Sequence, residues 1–361
     1  MDFFLIYAPA FLVLLTILVF VHELGHYWVA RKCSVRVEVF SIGFGPEIIG
    51  WTDRVGTRWK LSVIPLGGYV KMFGESEMDG SAPAEPMTPE EEAVSFSKKN
   101  VGQRAAIVAA GPLANYAFAI VVLALLYMTV GQPYTPPLVG EVMPGSAAEA
   151  GGLKAGDRFV RVAGIDVERF EDVQTIVRIH PNEQVEVIVE RGGERVSTTV
   201  TPKIKEVKDV SGKPMTIGLI GVLQTGKAYE LRNPISAVFE ATKESINLSY
   251  YALKTVGQMI VGKRDLRELG GPVRIGQISG DVALLGFVPF ISLVAMLSIN
   301  LGMVNLFPVP MLDGGHLLFY VIEALRGKPL GVRTQEFGLR IGLVLVLCLM
   351  LFVTINDLVN L

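Results

Sequence analysis

Apolar residues gather along this chain in four long runs, with polar, turn-rich stretches between them. Residues 3–21 carry no charge, and the apolar pattern resumes through Tyr27, Trp28, Val29 and Ala30. A helix of about 28 residues rises roughly 42 Å, enough to cross about 30 Å of hydrocarbon. Only Met1 and Asp2 precede the run. Without a basic n-region and a small-residue cleavage site, a retained helix is expected rather than a secretory signal. Further uncharged runs cover 105–130, 282–304 and 341–355. Residues 316–325 are apolar but short and carry Glu323. About ten residues cannot span, so a packed or re-entrant helix is expected there.

Between the second and third runs the pattern changes to short β-type segments. They fall at 139–142, 158–162, 184–189 and 196–201, with Gly-rich turns between them and a helical stretch at 171–179. That predicts one small α+β domain of about 70 residues, behind a turn-rich linker at 131–137. Residues 234–260 set Phe239, Ile246, Tyr250 and Leu253 against Lys243, Glu244 and Lys254. Such a helix either lies along a membrane surface or packs as an ordinary amphipathic helix. Residues 58–73 read as a hairpin turning at Pro65-Leu66-Gly67-Gly68, and the acidic, Pro-bearing stretch 75–92 as a loop.

The fold class expected is therefore a polytopic α-helical membrane protein with about four transmembrane helices, a cytoplasmic or membrane-dipping β-hairpin region and one external α+β domain. The segments divide as 1–30 (first span), 31–104 (loop with hairpin), 105–130 (second span), 131–205 (external domain), 206–281 (external linker and amphipathic helix), 282–325 (third span and short helix) and 326–361 (loop and fourth span).

Composition supports this division. Half the 361 residues are hydrophobic and 19% are charged, against about 25% charged in typical soluble domains. The net charge of −2 offers no basic excess for a nucleic acid. Two cysteines, Cys33 and Cys348, exclude a disulfide framework and a Cys-rich metal site. Loop 31–104 holds ten Lys/Arg and loop 326–340 holds four, while the two ends hold none. By the positive-inside rule both loops face the cytoplasm, and the termini and the 131–281 insert lie outside.

The chemistry concentrates inside the first span. His22-Glu23-Leu24-Gly25-His26 is an H-E-x-x-H pattern. On a helix, positions i and i+4 share a face, so both imidazoles reach one ion while Glu23 stands ready as a general base. Ionisable groups at membrane depth are costly and usually functional. A catalytic zinc needs a third protein ligand and an open position. Of the other two histidines, His180 falls in the external domain as a surface residue. His316 follows Asp313-Gly314-Gly315 after the third span. Asp313 and His316 are both candidates, and spacing does not separate them. Prolines 308 and 310 interrupt the helix just before them, and freed backbone groups at membrane depth need protein or water around them.

Taken together, HELGH in the first span and Asn305-x-x-Pro308-x-Pro310-x-Leu312-Asp313-Gly314 in a later one resemble the site-2 protease family of intramembrane zinc metalloproteases, of the bacterial regulator of sigma-E protease type. Gly111-Pro112-Leu113-Ala114-Asn115, Pro65-Leu66-Gly67-Gly68-Tyr69 and Gly270-Gly271-Pro272-Val273 extend the likeness across all the membrane segments. The resemblance implies zinc held by His22, His26 and Asp313, with Glu23 as catalytic base and Asn305 near the active site. It settles Asp313 over His316, which spacing does not. It also implies a membrane-dipping β-loop, placed here at 58–73. Its edge would take an unwound substrate by strand addition, with Gly67, Gly68 and Tyr69 beside it and the two glycines also serving the turn. Asn115 is expected to hydrogen-bond to another helix rather than to substrate.

The stretch Val139 to Asp157 resembles a PDZ domain, and the insert has room for one such domain. Its peptide-capturing backbone is expected at 138–141. Together these imply a bacterial inner-membrane, multi-pass endopeptidase that cleaves single-span membrane proteins. The expected substrates are an anti-sigma-like factor already clipped outside by a site-1-type protease, or signal-peptide remnants. Lipid bilayer is an expected partner and nucleic acid is not. The alternative is a metal-bound membrane scaffold that recruits partners through its PDZ domain.

Overall fold

A computed structural model describes residues 6–75, 87–208, 214–224, 226, 228–262 and 270–359. In chain order the first elements are α1 (Ala8–Lys32), β1 (Val37–Thr52), β2 (Arg58–Met72), α2 (Pro89–Val94) and α3 (Val101–Thr129). A β-rich stretch follows, with β3 (Gln132–Tyr134), β4 (Val139–Val142), α4 (Ala147–Ala150), β5 (Arg158–Val162), β6 (Ile165–Asp166) and α5 (Phe170–Arg178). It continues through β7 (Val185–Arg191), β8 (Glu194–Val200), β9 (Lys203–Lys208), β10 (Pro214–Leu219), β11 (Val222–Gln224) and β12 (Ala228–Glu230). The chain ends in helices α6 (Pro234–Ile260), α7 (Pro272–Leu284), α8 (Phe287–Asn305), α9 (Asp313–Arg326) and α10 (Val332–Val359). Contacts divide it into two units. One comprises the chain up to Leu125, Ile235–Met259 and the C-terminal helices; the other comprises Leu126–Pro234 with a few residues after α6.

In the first unit, α1, α3, α8 and α10 are each long and apolar enough to cross a membrane. Their outward side chains are apolar, as hydrocarbon requires and water would penalise: Leu345, Leu347 and Leu351 of α10 are all exposed. Two spans differ from expectation. The third begins at Phe287 rather than 282, because Gly286 takes φ +111° and separates α7 from α8. Pro289 falls in the first turn of α8, where its missing N–H costs nothing. The fourth starts at Val332, not 341. Arg333 and Arg340 end the hydropathy signal there without ending the helix.

The hairpin expected within 58–73 is not formed; residues 58–72 make one strand, which pairs with β1. β2 runs unbroken through Pro65-Leu66-Gly67-Gly68, and the reversal lies between β1 and β2 at 53–57. There Asp53 Oδ1 accepts from the Val55 and Thr57 amides (3.0 and 2.9 Å), and Gly56 takes φ +90°. Both strands bend midway. Residues 39–42 pair with 68–71 and also with 58–61, which in turn pair with 49–52. The sheet is thus four segments wide, and among the described residues 68–71 pair on one side only. Phe40 stacks on Trp59 with centroids 4.3 Å apart. Val37, Phe40, Val70, Met72, Ile107 and Val108 form one buried cluster that fastens the sheet to α1 and α3. α7 is capped from a distance: Asp357 of α10 accepts from the Gly271 and Arg274 amides, both at 2.9 Å, because Gly271 has no side chain to do so. Most of the acidic loop expected at 75–92 lies outside the described residues, though α2 falls within it and starts on a Thr88–Glu91 capping box.

The second unit holds an antiparallel sheet in the order β6-β5-β7-β8. Its core joins Phe159, Val162, Val187 and Val189 of the sheet to Phe170, Val173 and Val177 of α5. The expected boundary at 205 is too early. β11 pairs with β4, β9 with β10 and β12 with β3, and Ile220 belongs to the same core. Asp157, 1% exposed, is gripped by Arg191 through two bonds of 2.7 Å and accepts from the Lys154 amide.

Candidate metal centre

His22 and His26 stand one turn apart on α1, buried, with their Nε2 atoms 3.2 Å from each other. Asp313, the first residue of α9, brings Oδ2 to 3.1 Å from His22 Nε2 and 3.6 Å from His26 Nε2. The turn that delivers it, 306–312, contains both prolines and holds Met311 at φ +94°, a conformation that costs a non-glycine residue about 1–3 kcal/mol. Three donor atoms thus form a triangle with sides of 3.1, 3.2 and 3.6 Å. A tetrahedral ion with ligand bonds of about 2.0–2.1 Å holds its donors roughly 3.3 Å apart. The triangle therefore has the size of one face of a zinc tetrahedron. Asp313 Oδ2 is buried with no hydrogen-bond donor, as an oxygen reserved for a cation would be. No other cluster of metal-binding side chains is found among the described residues.

The surroundings favour that use of the imidazoles. His26 Nδ1 lies 2.9 Å from the Ile107 carbonyl. A carbonyl only accepts, so Nδ1 carries the proton and Nε2 presents its lone pair. Gly111 of α3 faces both rings, and a Cβ there would overlap His26 Nε2 and come within 2.9 Å of His22 Cε1. Gly25 similarly lets α1 close on the Ala110 backbone.

A cavity of about 410 Å³ opens on the triangle, lined by Glu23, Gly68, Tyr69, Val70 and His316 among others. Of the expected site residues, His22, Glu23, His26, Asp313, Gly68 and Tyr69 come together here. Gly67 does not; its φ of +97° turns the strand beside the Phe44 ring. Asn305 does not line the cavity either. It is the last residue of α8, half-buried, on the far side of the Pro-rich turn from Asp313. His316 shares the cavity but not the donor triangle. In the second unit β4 is paired with β11, and a cavity of about 240 Å³ lies between α5 and residues 217–222. Within the Gly111–Asn115 motif, Gly111 and Asn115 face the imidazoles, which no spacing in the sequence reports.

This donor set, two members on the membrane-length helix α1 and the third on the shorter α9, narrows the class to membrane proteins built around a divalent ion. The narrower answer comes from comparison. The profile of peptidase family M50 matches residues 10–349, and the chain belongs to that family. A relative from Agrobacterium fabrum, named a zinc metalloprotease, is 44% identical over 98% of this chain and 96% of its own. The Regulator of sigma-E protease RseP of Salmonella typhimurium is 34% identical over 96% of this chain and 97% of its own. That alignment runs to 451 positions, so RseP holds residues with no counterpart in these 361. The PDZ domain of the SdrC-like protein from Listeria innocua covers 26% of this chain and 99% of its own at 20% identity, with a TM-score of 0.20, a likeness too slight to define the second unit's fold. The protein is a multi-pass membrane zinc metalloprotease.

Proposed function

We propose that this zinc metalloprotease cuts its substrates inside the bilayer, with His22, His26 and Asp313 holding the zinc and Glu23 acting as general base. The observation that carries the reading is the 3.1–3.6 Å donor triangle opening on a cavity that Glu23 also lines. Zinc bound there supplies the Lewis acidity that lets water lose a proton near neutral pH. Glu23 would take that proton as the water oxygen bonds to the scissile carbonyl carbon, and return it to the departing amine as the peptide C–N bond breaks.

A spanning substrate helix hides its carbonyls in internal hydrogen bonds, so it must unwind before hydrolysis. Residues 68–71, paired on one side only among the described residues and next to the cavity, offer backbone groups to hold an extended segment by strand addition. Gly68 and Tyr69 are the substrate-side residues in this reading. Gly67 serves the strand's bend, and Asn305 has no place in it. The substrate class is a single-span membrane protein, anti-sigma-like and already shortened outside by a site-1-type protease. The protein sits in the bacterial inner membrane with termini and second unit outside. The second unit, PDZ-like in its 139–157 motif, screens shortened substrates at the groove between α5 and residues 217–222.

The test is Glu23→Gln in the full-length protein. The variant keeps about one zinc per chain and cleaves no single-span reporter substrate. Persistent cleavage by that variant would remove the protease mechanism from this site.

A further inference from the structure

Gly111 and Asn115 of α3 are turned toward the imidazoles, yet the mechanism above uses neither. Gly111 provides room. Asn115, one turn further along α3, is fully buried, and its amide nitrogen is placed 3.3 Å from His22 Nδ1. The other end of the amide, Oδ1, is buried without a partner. Contact between α3 and α8 does not need this side chain, because Ser298 donates to the Asn115 main-chain carbonyl at 2.9 Å.

Imidazole chemistry sets the requirement. His22 can offer Nε2 to a cation only if Nδ1 carries the ring proton, and that proton then needs an acceptor. The two ends of a side-chain amide exchange places by a half-turn, and which end faces the ring is assigned from the network around it. With oxygen toward the ring, the orphaned acceptor gains a donor and His22 is fixed with Nε2 bare. The Ile107 carbonyl does the same for His26.

We infer that Asn115 is the positioning residue for the metal centre: its amide oxygen accepts from His22 Nδ1–H and holds that ring in the metal-binding tautomer. The inference rests on the reading of His22 as a ligand. Residues that orient a ligand in this way typically contribute 10–100-fold to metal affinity.

The experiment is zinc affinity, by competition with a chelator, in purified full-length protein. Asn115→Ala weakens zinc binding by about 10–100-fold, and excess zinc restores cleavage because the three ligands and Glu23 remain. Asn115→Asp, whose carboxylate accepts but cannot donate, binds zinc within a few-fold of the unaltered protein. Unchanged affinity in Asn115→Ala, or equal loss in Asn115→Ala and Asn115→Asp, overturns the inference. His22→Ala separates the two levels. If it keeps its zinc, the ligand reading fails. If it loses zinc while Asn115→Ala does not, only the role of Asn115 fails.

Discussion

Gly111→Ala adds one methyl group at the point where α3 faces the two imidazoles. Its Cβ would lie 2.9 Å from His22 Cε1 and overlap His26 Nε2. Ordinary carbon contacts begin near 3.5 Å, so the His22 ring must retreat by about 0.5 Å and the His26 ring by more. Zinc sites tolerate ligand displacements of about 0.2 Å. Overpacking of this kind costs about 1–3 kcal/mol, which corresponds to roughly 5- to 150-fold weaker zinc at about 1.4 kcal/mol per decade. The backbone effect runs the other way, since alanine favours a helix interior over glycine by about 1 kcal/mol. The metal-free variant should therefore keep its helical content while losing zinc. Chelator competition measures the first quantity and circular dichroism the second. Zinc bound at unaltered affinity would refute the placement of the rings against Gly111, and with it the donor triangle.

Two further expectations concern charge. Arg104 and Glu323, with side chains 6% and 14% exposed, pair at 2.6 Å and tie α3 to α9. Arg104→Met strands a buried carboxylate at a cost of about 3–5 kcal/mol, while Arg104→Met with Glu323→Leu recovers much of it; a double variant no more stable in detergent unfolding than the single one would contradict this. In the second unit, burial pushes the Asp157 carboxyl up, but the Arg191 guanidinium and the Lys154 amide outweigh it and hold the pKa below the usual value. A depressed native pKa stabilises the fold above the unfolded-state value of about 3.9, and that stability is lost as pH falls through the native value. Hydrogen exchange at β5 and β7, corrected for intrinsic rates, should show protection falling below about pH 4, and Arg191→Met should abolish that acid-side loss; equal protection at acid and neutral pH in the unaltered protein would count against the pair.

Hydropathy located the spanning helices because lipid imposes a single requirement over some twenty residues. It misplaced their ends wherever geometry and polarity part company. Gly286 breaks the third run while remaining apolar, and Arg333 to Arg340 continue the fourth helix while being polar. Alternation placed β4 and β5, whose inward residues Val139, Phe159 and Val162 are buried. It passed over β1, where Gly43, Gly45 and Pro46 look like breakers. In the fold the two glycines take φ +85° and +90° at the bend that lets one strand pair twice. β11 reads as linker because its partner, β4, lies some 80 residues upstream, and no local pattern reports a pairing at that distance.

The candidate site was legible to the extent that its members share one helix. His22, Glu23 and His26 declare themselves by spacing. The third donor did not, because Asp313 and His316 lie three positions apart and so project from neighbouring parts of one helix face. What separates them is a backbone event. α9 starts at Asp313, set there by the turn in which Met311 takes φ +94°, so the first side chain of the helix reaches the imidazoles while the one a turn later lines the cavity beyond. Gly111 was visible as part of a motif, and Asn115 as a helix-to-helix hydrogen bonder, without their place beside the imidazoles, for a related reason. One acts through an absent methyl group and the other through the far nitrogen of His22, so neither shows as a ligand. Both become readable only once α3 is placed against α1 at a distance that Gly25 permits.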